Sequence, residues 1–193
     1  MPYLILGLFI FLGVHSVRIF ADGWRDTVRS RMGVNAFKGL YSLLSFAGLA
    51  LIVWGFVQAR ETPTLLWLPP TELRHFAALF NVLAFVLLVA AYVPGNAIKA
   101  RVHHPMVLGV KTWAFAHLLA NGNLAHMVLF GAFLAWAVLD FISLRRRDRV
   151  QGIQYPAGTL SATVLTVLLG VVFAGVFAMW VHGLLIGVKP FSG

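Results

Sequence analysis

Apolar residues along this chain fall in long runs, without the alternation of a strand or the one-sided stripe of a surface helix. Six runs stand out: about Tyr3 to Phe20, Phe37 to Val57, Leu73 to Val93, Pro105 to Ala120, Leu124 to Leu144 and Thr159 to Gly187. A helix needs roughly 20 apolar residues to cross a hydrocarbon core of about 30 Å. The breaks between runs are short and polar or proline-rich. A basic loop holds Asp22, Arg25, Asp26, Arg29 and Arg31. Pro63, Pro69 and Pro70 make the next link irregular, with Trp67 as an interfacial anchor. Pro94-Gly95 ends the third run, and Asn121-Gly122-Asn123 forms a tight turn in which Asn123 caps the fifth helix. Arg145, Arg146, Arg147 and Arg149 stop the fifth run, and Gly152, Pro156 and Gly158 lead into the sixth. The pattern predicts an all-α integral membrane bundle of six transmembrane helices, a single polytopic domain over residues 1–193. The first run lacks a basic leader and a small-residue cleavage site, so it reads as a retained span.

Composition strengthens this reading. The chain is 60% hydrophobic and 11% charged, with a mean hydropathy of +0.87. A soluble domain is about a quarter charged. The bilayer is therefore the first partner, in a multi-pass membrane protein. The net charge of +9 does not point to nucleic acid, because the basic residues sit at span ends. Twelve of them fall in or beside the loops after spans 1, 3 and 5, and three, Arg60, Arg74 and Lys189, fall on the other side. The positive-inside rule then places both termini on the non-cytoplasmic side. There is no cysteine, which removes disulfides, iron–sulfur clusters and thiolate ligation.

The remaining chemistry lies in polar residues at membrane depth, which are functional candidates by default. The chain has seven histidines. At about 1.5 Å per residue, His117 lies about 18 Å up the fourth span and His15 about 8 Å from the inner end of the first. Trp113 and Asn121 stand four residues to either side of His117 and share its face. His117 can ligate iron, relay protons, or bond a carbonyl of a neighbouring helix. His15 stands a turn before Arg18, a cation suited to a carboxylate such as a propionate. His103, His104 and Pro105 open the fourth helix, where His104 can act as cap, headgroup contact or part of an anionic-ligand site. Lys111 snorkels inward or holds a carboxylate. His75, His126 and His182 lean outward. All six carboxylates lie at or beyond span ends, so none is placed for acid–base work at membrane depth. Gly170, Gly175, Ala174 and Ala178 suit close helix packing in lipid.

His103-His104-Pro105-Met106-x-x-Gly109, followed by Trp113-Ala-x-Ala-His117-Leu-Leu-Ala-Asn121-Gly122-Asn123, resembles the signature of the NnrU family. The His15-Ser16 element, the six-span length and the Arg-rich stop after span 5 fit as well. The resemblance implies a link to denitrification, through nitrite and nitric oxide reduction, with other membrane redox or denitrification proteins as partners. It also implies haem b, because plant relatives are 15-cis-ζ-carotene isomerases that use it. His117 then matches the histidine implicated in ligating the haem iron, and His15 the first-span histidine considered as its partner. The relatives carry a cysteine three residues before the ligand histidine; here Ala114 stands there, so a ligand switch through that thiol is not available. The two histidines differ in depth by about 10 Å, whereas one iron needs both nitrogens within about 2 Å. His182, or no protein group, is the alternative partner.

A more distant similarity joins His104-Pro105 and Gly109 to the isoprenylcysteine methyltransferase group, where such a turn contributes to S-adenosylmethionine binding; the acidic pair of that group is replaced by the Arg-rich run. Three functions are therefore expected in order: a haem-b-binding protein, with isomerase-like redox chemistry as its enzymatic form; a non-enzymatic accessory or sensor whose histidines are structural; and a membrane methyltransferase.

Overall fold

The structure, a computed structural model, describes residues 1–188 and 190, so Lys189 of the charge argument lies outside the described residues. It is helical nearly throughout. The helices are α1 (Pro2–Phe20), α2 (Asp22–Met32), α3 (Val34–Glu61), α4 (Thr71–Tyr92), α5 (Ala97–Val102), α6 (Pro105–Ala120), α7 (Leu124–Gln151), α8 (Leu160–Val176) and α9 (His182–Ile186), with a π-helical turn over Phe177–Val181 joining the last two. Five helical stretches are long and apolar enough to cross a membrane. The sixth expected span, α6, is apolar but has only 16 residues. It is about 24 Å long, short of the ~30 Å hydrocarbon core.

Two boundaries depart from the sequence reading. The Arg-rich run does not stop the fifth helix. Arg is a good helix former, so α7 continues through it to Gln151 and ends at Gly152, which turns left-handed at φ 63°. The basic loop after α1 is itself helical, as α2. Its exposed Trp24 and Met32 and its arginines make it a short amphipathic element at the base of α3.

The long helices pack in the spatial order α3, α1, α7, α6, α4, α8. The first pair is antiparallel and close, because glycines on both helices meet backbone. A Cβ on Gly7 would lie 2.5 Å from Ile52 N, and one on Gly55 would lie 2.2 Å from Leu4 N. Without a hydrophobic drive between helices in lipid, such small-residue seams supply the packing. The α4–α8 seam works similarly: Gly170 lies against Val86 and Ala174 is buried, whereas Gly175 faces open space. The core runs from Leu4, Leu8 and Ile52 across to Ala114, Leu129 and Phe130. The outer faces carry exposed Phe9, Leu43, Phe46 and Leu168, as lipid contact requires.

The ends of the row are tied by polar bonds. Arg60 Nη1 donates to the Ile186 carbonyl (2.9 Å), bringing α9 to the end of α3. The Asn121–Asn123 turn is held by the proline-rich link. Leu66 N donates to Gly122 O (2.8 Å), and Leu124 N donates to Thr64 O (2.9 Å). Gly122 approaches Trp67 so closely that a Cβ would lie 1.7 Å from its carbonyl oxygen. Asn123 occupies the position before α7, but its side chain makes no capping bond. Main-chain bonding to the link takes that role. At the opposite end, buried Asn96 donates to Ala90 O and Val93 O and accepts from Lys99 N, fixing the α4–α5 turn. Gly158 packs on Ala97 beside it, docking the start of α8.

Candidate functional site

His117 sits where α6 meets α7. A carbonyl only accepts, so its Nδ1, 2.9 Å from Trp113 O, carries the proton. This bond fixes the tautomer and leaves Nε2 with a free lone pair, the arrangement usual in metal-binding histidines. The ring stacks on Phe130 at 4.4 Å and touches Trp113 at 5.2 Å. Asn121 Nδ2 donates to His117 O (2.9 Å) and closes the end of α6. Trp113 thus acts on His117 through both ring and carbonyl.

His15 repeats the motif on α1. Its Nδ1 donates to Phe11 O at 2.6 Å, its ring stacks on Phe11 at 4.3 Å, and Nε2 is free. Around it stand Tyr41 at 5.3 Å and Trp136 at 6.1 Å. The indole Nε1 of Trp136 and the Nδ1 of His126 are buried with no hydrogen-bond partner among the described residues. Arg18 lies at the end of α1, half exposed, near Asp22 at 3.7 Å.

The structure joins His15 and His117 by an aromatic ladder instead of direct contact. Phe11 meets Phe133 at 5.9 Å, Phe133 meets Trp113 at 5.6 Å, and Trp113 meets His117. Along α7, His15 stands at the level of Trp136 and His117 at the level of Phe130. Six residues of helix separate those levels, about 9 Å of rise. His182 shares the tautomer pattern, with Nδ1 donating to Val188 O at 2.6 Å. His75 is exposed, and the Lys111 ammonium lies 5.8 Å over the Phe141 ring.

A second constellation was not expected from the sequence. His104 Nε2 donates to Asp148 Oδ2 at 2.7 Å, and the Tyr155 hydroxyl donates to the same oxygen at 3.0 Å. His103 stacks on Tyr155 at 4.1 Å, and its Nδ1 accepts from Arg145 Nη1. The Tyr155 hydroxyl is held above the usual phenol range by burial and by Asp148. His104 precedes α6 without capping it; its side chain reaches the end of α7 instead. Asp148 does lie beyond the apolar part of its helix, as read from the sequence. What the sequence reading missed is that it organises a site there. The signal was present: a lone acid inside a basic run, and a His-His pair lacking a counter-charge. No group of three or more His, Asp or Glu side chains arranged to hold a metal ion occurs among the described residues.

Searches of curated proteins and of solved structures each returned no match. A family model described as NnrU protein matches residues 3–190, nearly the whole chain. That span takes in both histidine constellations and every helix of the row, and the chain therefore belongs to the NnrU family.

Proposed function

We propose that this NnrU-family membrane protein binds haem b with His117 as the iron ligand and serves redox or nitrogen-oxide metabolism linked to denitrification in the bacterial inner membrane. The observation that carries the reading is the Nδ1–H bond from His117 to Trp113 O, which leaves Nε2 free in an aromatic setting. The donor chemistry fits the group: a neutral imidazole with a fixed tautomer is an ordinary haem ligand. Bound there, haem would supply reversible one-electron chemistry. The Trp113 carbonyl makes the imidazole more basic, and Phe130 fixes its plane and keeps water from that face. Ala114 offers no competing ligand. The six-residue register on α7 favours His117 alone over a shared His15–His117 iron. Arg18, beside His15, remains suited to a carboxylate at that end.

In this reading the short α6 completes six crossings, with both termini on the non-cytoplasmic side and the basic ends of α1, α5 and α7 in the cytoplasm. The test is an absorption spectrum of detergent-purified protein from cells supplied with haem precursor. A Soret band that shifts on dithionite reduction is the expected result. Its absence would leave the accessory or sensor reading, in which the histidines are structural.

A further inference from the structure

A cleft of about 170 Å³ opens beside the His104–Asp148 pair, where α4, α5, α6 and α7 come together. Ala91, Met106 and Leu144 give it an apolar floor, while Lys99, His103 and His104 give it a polar rim. The donors on that rim are only partly used. Lys99 Nζ spends one N–H on Ala91 O (3.0 Å) and keeps two. His103 Nδ1 accepts from Arg145, so a neutral His103 carries its proton on Nε2, which no described residue engages. Asp148, the carboxylate at hand, is bonded to His104 and Tyr155 and does not line the cleft. Its contact holds the His104 ring at the rim. His103 itself sits at φ 67°, a conformation that a non-glycine residue rarely adopts and that clusters at binding sites. The cleft lies at the end of the bundle where the α7 arginines collect, with Arg145 bonded to His103 on its rim.

From this juxtaposition of an apolar floor with an under-used cationic rim, we propose that the cleft binds the phosphate head of an anionic amphiphile. Phosphate offers several acceptor oxygens to Lys99 and His103, the two rim donors with unspent N–H groups. Asp148 and Tyr155 are positioning residues that orient His104. The apolar floor accommodates the first carbons beyond the headgroup. The proposal stands independently of haem.

The test uses full-length protein in detergent, with native mass spectrometry for phosphatidylglycerol and phosphatidylcholine and calorimetry for inorganic phosphate. Phosphatidylglycerol is expected to bind saturably, with phosphatidylcholine at least tenfold weaker. Lys99→Gln and His103→Gln are each expected to weaken phosphatidylglycerol at least tenfold, while Arg31→Gln on α2 leaves it unchanged. Met106→Glu, which places a carboxylate at the half-exposed edge of the floor, keeps the test decisive if His103→Gln fails to fold; it too is expected to weaken binding tenfold. Competition by inorganic phosphate would support a site that also takes a soluble phosphate, and its failure to compete would support a lipid headgroup. Equal binding of the two lipids, or unchanged phosphatidylglycerol binding in Lys99→Gln and Met106→Glu, would overturn the proposal.

Discussion

His104 and Asp148 lie 44 residues apart in sequence, yet their side chains meet at 2.7 Å and join the mouth of α6 to the end of α7. Both are shielded, each with 14% side-chain exposure. The bond is therefore less screened than a surface pair. His104→Ala would leave the carboxylate with Tyr155 alone. A loss of about 1–3 kcal/mol is expected for a shielded, charge-assisted bond. A thermal midpoint in detergent equal to that of the parent would sink this account.

The Asn121–Asn123 turn rests on the absence of a side chain at one position. Gly122→Ala drives a methyl group into the Trp67 carbonyl, and only main-chain movement relieves it. The expected cost is about 3 kcal/mol, at the upper end of overpacking. Gly131→Ala is the control, since a Cβ there meets nothing within 4 Å; its effect is expected within about 0.5 kcal/mol. Unfolding midpoints of the two variants should therefore separate widely.

Ligand assignment is tested by two substitutions read in one spectrum. His117→Ala is expected to abolish the Soret band. His15→Ala is expected to retain most of it, because about 9 Å of helix rise separates the two levels on α7. Loss of the band in His15→Ala alone would reverse the assignment.

Topology is open to a direct measurement. A periplasm-active reporter fused after α9 is expected to be active, and one fused after Gln151 inactive. With six crossings, the opposite pattern would mean that the bundle is inserted the other way round, with both termini in the cytoplasm.

Much of the helix pattern was legible in the chain. The starts of α6 and α7 fall at Pro105 and Leu124, where Pro105 and the Asn-Gly-Asn turn place them. The ends were harder to read where charge was taken for a stop. Arginine marks the membrane boundary without breaking a helix, so α7 runs seven residues past Leu144. His117 and its partner Trp113 could be read from i, i+4 spacing alone, and so could the bond from Asn121. For the His104–Asp148–Tyr155 group only a hint was legible, the lone acid in the basic run and the His-His pair, because its members come from three segments and meet through packing. The contact of Trp67 with Gly122 gave no such hint. A lone glycine tells nothing about which carbonyl will press on it.

The π-helical turn at Phe177–Val181 acts as a phase adjuster. Such a turn holds one more residue than the α-helix would allow, so everything after it is rotated about 100° from where an uninterrupted helix would carry it. Both the Ile186 carbonyl that receives Arg60 and the ring of His182 owe their azimuth to that extra residue. The single bond from the third helix to the last is thus set by a count of residues, and insertion or deletion there would turn its acceptor away while leaving the composition of the helix almost unchanged.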